Sequence, residues 1–338
     1  GEELRCRVVA EGGNLGFTQL GRVEYALHGG KINTDAIDNS GGVNCSDQEV
    51  NIKILLNGIV ASGDLTEKQR NILLGEMTDE VAELVLDNNR NQTEAISVAE
   101  YHSENNVQMH CRLIDHLEQH ANLDRTLEFL PSNEDLLARQ LTGKGLTRPE
   151  LAVLLAYCKT LLKGELLASD VPEDKYIARN LVTAFPQELR EKYEKEMYSH
   201  RLKREIIAMQ ISNSVINDMG LGFIHRLQDE TGATVPEITR GYIAAREIFK
   251  AALFREAVNA LDFIVPAEIQ IKMLHELNRL VRRGTRWFLR HRIGSLNVEE
   301  VIKHFTPKMQ MVKEGLHHAL QGSSEEYLLE FAKELMDV

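Results

Sequence analysis

Residues 5–16, RCRVVAEGGNLG, run the apolar strand Val8-Val9-Ala10 into the glycine-rich turn Glu11-Gly12-Gly13-Asn14. The next residues space Leu20, Val23, Ala26 and Leu27 three and four apart, which predicts a helix over about 18–28. Gly29 is placed to stop it in the left-handed conformation. A second short strand and turn over 31–43 then carries Asp38-Asn39-Ser40-Gly41-Gly42-Val43. Ser46 and Glu49 form an S-x-x-E capping box, predicting a helix over 46–56 with Ser46 as its cap and Glu49 reaching back. Strand, helix, strand, helix reads as a short α/β segment.

Further along the chain the pattern changes. Ten of the 23 glycines fall within the first 58 residues and all seven prolines fall after residue 130, so a boundary is expected near 57–63. Beyond it the periodicity is helical almost throughout. Helix starts are marked by Thr66 with Gln69, Thr147 with Pro149 and Glu150, Pro172 with Glu173, Pro236 with Glu237, and Pro266 with Glu268. Long helices are expected over about 78–88, 93–120, 148–164, 187–219, 236–260 and 266–291, with a last one near 324–336. The fold class is therefore mainly α, a short α/β segment followed by a large all-helical domain.

Composition narrows the function. The 338 residues carry a formal charge of −12, which argues against wholesale nucleic-acid binding because a polyanion meets a repulsive mean field. The longest apolar run, Leu151 to Cys158, is far short of the ~20 residues of a membrane span. A cytoplasmic protein is expected. Cys6, Cys45, Cys111 and Cys158 stand far apart, suiting reduced thiols better than disulfides or a zinc site.

In an α/β sheet, ligands sit where strands give way to helices, since free N–H groups and the helix dipole converge there. By composition alone the two glycine-rich junctions fit either a ligand cradle or ordinary turns. Their order and spacing add more. An E-G-x-N turn followed by D-x-x-x-N-x-G-G-V-x-x-S-x-x-E resembles the latter half of the nucleotide-binding domain of glutamate dehydrogenases. Gly13, Ser40, Asp47, Gln48 and Val50 depart from the small hexameric enzymes and point to the large NAD-specific enzymes of bacteria. The likeness runs on through LVLDNNRNQT (84–93), GLTRPELAVLLAY (145–157) and HRLKREIIAMQISN (200–213).

The resemblance implies that residues 1–60 are the C-terminal part of the NAD-binding, Rossmann-like catalytic domain, and 61–338 a helical C-terminal domain serving assembly or regulation. It implies cofactor contacts from Gly12, Gly13, Asn14, Asn39, Gly41 and Gly42, and a substrate contact from Ser46. The pyrophosphate turn and the family's catalytic lysine and aspartate find no match, so no catalytic residue is assigned in this chain. The chain is expected to be the C-terminal portion of a longer homo-oligomeric polypeptide that oxidises L-glutamate to 2-oxoglutarate and ammonia with NAD, and to be inactive and weakly NAD-binding without the remainder of that polypeptide. The competing reading is a stand-alone helical interaction or regulatory module that binds no cofactor.

Three other features have plainer readings. His116 and His120 share a helix face, but HLEQH does not match the metalloprotease spacing. Gly143-Lys144-Gly145-Leu146-Thr147 lacks the first glycine of a phosphate loop and precedes a helix without following a strand. Arg279, Arg282, Arg283, Arg286, Arg290 and Arg292 form a basic stripe opposite Leu277, Leu280, Val281 and Phe288, either a solvated face or an anion, effector or subunit contact.

Overall fold

A computed structural model describes residues 1–101, 103–291 and 297–319; Arg292 and the helix expected at 324–336 lie outside them. Helix dominates the described residues. The two expected strands reduce to one parallel bridge, Val8 with Lys31, in which the Val9 N–H donates to the Lys31 carbonyl at 2.9 Å and the Lys31 N–H to that of Arg7 at 2.9 Å. A parallel pair lacks the short-range closure of a hairpin and extends only with neighbouring strands beside it.

Helix α1 (Gln19–Leu27) forms as its spacing predicts, with the Thr18 hydroxyl accepting from the Gly21 N–H at 3.1 Å and Gly29 left-handed at φ 90°. The expected turn over 31–43 is instead largely helical. A single turn, α2 (Asp35–Asp38), leads through Asn39 directly into α3 (Ser40–Ser62). Ser46 is thus no cap. It sits inside α3, its Oγ 3.4 Å from the Gly42 carbonyl, and Glu49 pairs with Lys53 rather than reaching back. The early start is fixed from outside α3: the Asn89 amide donates to the Ile37 carbonyl at 2.7 Å and to Ser40 Oγ at 3.0 Å.

The helices α4 (Glu67–Glu76), α5 (Thr78–Tyr101), α6 (Val107–His120), α7 (Asn133–Leu141), α8 (Arg148–Leu167), α9 (Gln187–Met197) and α10 (Lys203–Met219) follow. The capping boxes Thr66–Gln69 and Thr147–Glu150 are both formed. α5 runs through the polar residues 88–92, because Asn89 spends its amide on the preceding elements. The Pro172 start yields only a 3₁₀ turn, Val171–Glu173. The helix expected over 187–219 breaks between Tyr198 and Leu202, where His200 Nδ1 accepts from the Leu202 N–H and Nε2 meets the Asn51 carbonyl, both at 3.1 Å.

Packing groups the described chain into two units, Gly1–His225 and a second from Arg226 on. The first is built around α8, whose Leu151, Leu154, Leu155, Leu162 and Leu166 are buried among α1, α5 and α10. Each such leucine contributes about 1.5–3 kcal/mol. The loop before α8 threads Gly145 so close to Ser103 that a Cβ would lie 2.4 Å from the Ser103 carbonyl carbon. That close approach, not a phosphate, accounts for the glycine.

The division falls within α11 (Phe223–Thr231), and the second unit continues with α12 (Val235–Ile248), α13 (Ala251–Asn259), α14 (Ala267–Arg290) and α15 (Val298–Ala319). Lys250, left-handed at φ 55°, separates α12 from α13 where one helix was expected. α12 packs on α14, and a Cβ on Gly284 would meet the Phe249 ring at 2.4 Å.

Candidate ligand cleft

Acidic side chains hold the first glycine-rich turn. Glu11 is buried and grips Arg22 through two bonds, Nε to Oε2 at 2.6 Å and Nη2 to Oε1 at 2.9 Å, while the Phe17 N–H donates to Oε1 at 3.1 Å. Asp38 accepts from the Glu11 N–H at 3.0 Å and Asp35 from the Leu15 N–H at 2.8 Å. Those bonds tie the second junction to the first. They also set the charges: the Glu11 hydrogen bond raises the Arg22 guanidinium above its ordinary value, and the Leu15 N–H, with Arg22 beyond it, holds the Asp35 carboxyl down.

The consequence is that Asn14 and Asn39 meet, Asn39 Nδ2 donating to Asn14 Oδ1 at 2.7 Å. Gly42 lies beside this pair, where a Cβ would sit 3.4 Å from Asn39 Oδ1, in contact with it. Gly41, in the same first turn of α3, faces Val85, whereas Gly12 and Gly13 are exposed with open space around them.

Both asparagines line a cleft of about 350 Å³ in the first unit. One face of α3, including Val43, Asn44, Asp47 and Gln48, forms a wall, and Ser46 projects from the neighbouring exposed face. The remaining wall comes from the helical region: Asn88 and Gln92 of α5, Lys159 of α8, and Gln210, Asn213 and Asn217 of α10.

None of those helical residues stands out as a site by motif. Lys159 lies in an apolar run, and its spacing from Leu155, Leu162 and Leu166 was the available signal that it faces inward. Among the described residues its ammonium makes no hydrogen bond or ion pair, and burial pushes it down to about 7. Gln48 Oε1 and Asn217 Oδ1 are buried without a hydrogen-bond partner.

The other candidates resolve locally. His116 stacks between His120 and His225 at ring separations of 4.3 and 4.4 Å. In the arginine stripe, Arg279 pairs with Glu276 at 3.2 Å and Arg286 with Glu230 at 3.1 Å, whereas Arg282 is half-buried among neighbouring arginines, its guanidinium pushed down chiefly by burial. Among the described residues no cluster of three or more His, Cys, Asp or Glu side chains is arranged for a metal, and no helix is long and apolar enough to cross a membrane.

The cleft is polar and amide-walled, and lies where the first glycine-rich turn meets the start of α3. Residues 1–99 match the family model of the bacterial NAD-glutamate dehydrogenase catalytic domain, and 143–338 that of the glutamate dehydrogenase C-terminal region. NAD-specific glutamate dehydrogenases from Halomonas elongata and Pseudomonas aeruginosa are 51% and 50% identical over 96% of this chain, and that of Mycobacterium tuberculosis 37% over 96%. The chain spans 20% of the length of each of these curated relatives. It belongs to the bacterial NAD-glutamate dehydrogenase family.

Proposed function

We propose that the whole protein oxidises L-glutamate to 2-oxoglutarate and ammonia with NAD, and that this chain supplies one wall of the site. The observation that carries the reading is the Asn14–Asn39 pair. Their hydrogen bond uses one donor and one acceptor, leaving Asn39 Oδ1 and Asn14 Nδ2 to meet the amide and ribose groups at the nicotinamide end of a dinucleotide. The residues fit that group. When bound, NAD accepts the hydride from the α-carbon of glutamate.

The chain's own part is to bind and orient. Gly12 and Gly13 keep the turn open to a flat ring, Gly41 and Gly42 let α3 start beside the asparagines, and Ser46 offers its hydroxyl to a substrate carboxylate. No side chain here is given the proton transfers. Residues 1–60 are assigned as the closing part of a Rossmann-like cofactor domain, and 61–338 as a helical region serving assembly of a cytoplasmic homo-oligomer or its regulation.

The direct test compares the full-length polypeptide with the 338-residue chain. The full-length protein is expected to form NADH when given glutamate, and the 338-residue chain to stay silent because it lacks the pyrophosphate turn and the acid/base groups. NADH formation by the short chain alone would overturn the division of labour.

A further inference from the structure

Resting on the reading of this cleft as the site of glutamate oxidation, we propose that Lys159 of the helical region anchors a carboxylate of a small amino-acid-like ligand there, with Gln48 and Asn217 receiving its donor groups.

Four observations converge. α8 holds Lys159 on its apolar side, between the buried Leu155 and Leu162, so the side chain reaches the cleft from a packed helix rather than from a mobile loop. The start of that helix is fixed by Glu150, which accepts from the Thr147 N–H and hydroxyl at 2.7 Å each. Among the described residues the ammonium has no anionic partner: Asp35 in the same cleft is committed to Arg22 and the Leu15 N–H, and Asp47 is exposed and outside ion-pair distance. A half-buried cation without a counter-charge carries a desolvation penalty that a well-placed anion offsets.

Gln48 is only 6% exposed and, like Asn217, leaves its carbonyl oxygen without a donor. Buried acceptors are normally satisfied, and an ammonium or amide group on the ligand would satisfy them. Carboxylate at one end and donors at the other describe an amino acid. The depressed ammonium, at about 7, agrees with the geometry and makes the free amine reactive.

Glutarate, an inert dicarboxylate, tests the proposal on the full-length protein. Lys159→Met should weaken glutarate binding by about tenfold or more, and Lys159→Arg should restore most of it. As a check that needs no variant to fold, acetylation of Lys159 by an N-hydroxysuccinimide ester, read by peptide mass spectrometry, should slow at saturating glutarate. Competitive inhibition of glutamate oxidation by glutarate would identify the anchored carboxylate as the substrate's, whereas a non-competitive effect would separate Lys159 from the reacting site and overturn its placement there. Unchanged glutarate affinity in Lys159→Met, or unprotected Lys159, overturns the proposal. If the wild type makes no NADH from glutamate while glutarate still protects Lys159, the assigned reaction fails and the carboxylate site stands.

Discussion

His110 on α6 is 2% exposed, its Nδ1 has no hydrogen-bond partner, and burial pushes its imidazole down from 6.5 to about 4. Because the folded value lies below the unfolded one, the unfolded chain binds the extra proton between them. His110 therefore contributes stability above pH 6.5 that is lost as pH falls toward 4, up to about 3 kcal/mol in all. Buried His200 adds in the same direction. The urea midpoint should fall between neutral and mildly acid pH, and His110→Leu should flatten that dependence. An unaltered slope in the variant would show that other groups carry it.

Ser46 poses a different question, since a capping serine and a substrate-binding serine both matter when removed. With α3 beginning at Ser40, the capping role is gone. Ser46→Ala should leave stability within about 0.5 kcal/mol of wild type, where loss of a true cap costs about 1 kcal/mol. A fall in glutamate turnover in the full-length variant at unchanged stability would then reflect the site. A clear drop in melting temperature would count against this assignment of the helix start. Asn14 and Asn39 were legible in the sequence as motif residues, but their bond to one another was not, since it depends on Asp35 and Asp38 tying the two turns together. Gln48 and Asn217 were not legible, because an amide inside a helix reads as surface until the facing helices are known, and Lys159 was marked only by its spacing from Leu155, Leu162 and Leu166.

At the scale of elements, capping chemistry was legible where side chain and backbone agree. Thr66–Gln69 and Thr147–Glu150 both form the reciprocal bonds that their spacing promised. Ser46–Glu49 has the same spacing and does not cap, since bonds from Asn89, far along the chain, start the helix earlier. The strand expected after Lys31 failed for a related reason: a parallel partner is a long-range property, and one bridge is all these residues form.

Ion pairs divide by burial. Glu150 is fully buried and meets Arg139 Nη1 through both oxygens at 2.9 Å, whereas Glu49 and Lys53 are exposed. Arg139→Met should cost roughly 3 kcal/mol by stranding the Glu150 charge, although the Thr147 donors soften the loss. Lys53→Met should cost at most about 0.5 kcal/mol. Chemical denaturation of the two variants side by side checks the ordering, and equal losses would contradict it.

Across the whole molecule, the helical majority was legible because its starts recur, with Pro236 and Glu237 in the first turn of α12 as Pro149 and Glu150 are in that of α8. Its internal breaks were less so: Lys250 and the His200 turn interrupt runs whose hydrophobic period continues across them. The cleft draws on α3 and on α5, α8 and α10 together, so the residues proposed to meet the cofactor and the helical region line one cleft. A catalytic deficit from a change in the helical region is therefore expected even when assembly is intact.

The central claim, that the Asn14–Asn39 pair serves the nicotinamide end of an NAD site for glutamate oxidation, is met most directly by steady-state kinetics of the full-length protein and its Asn39→Ala variant. Glutamate-dependent NADH formation by the wild type is predicted, with kcat/KM for NAD lowered roughly tenfold or more in the variant and melting temperature little changed. An Asn39→Ala protein with wild-type kcat/KM for NAD would contradict the claim.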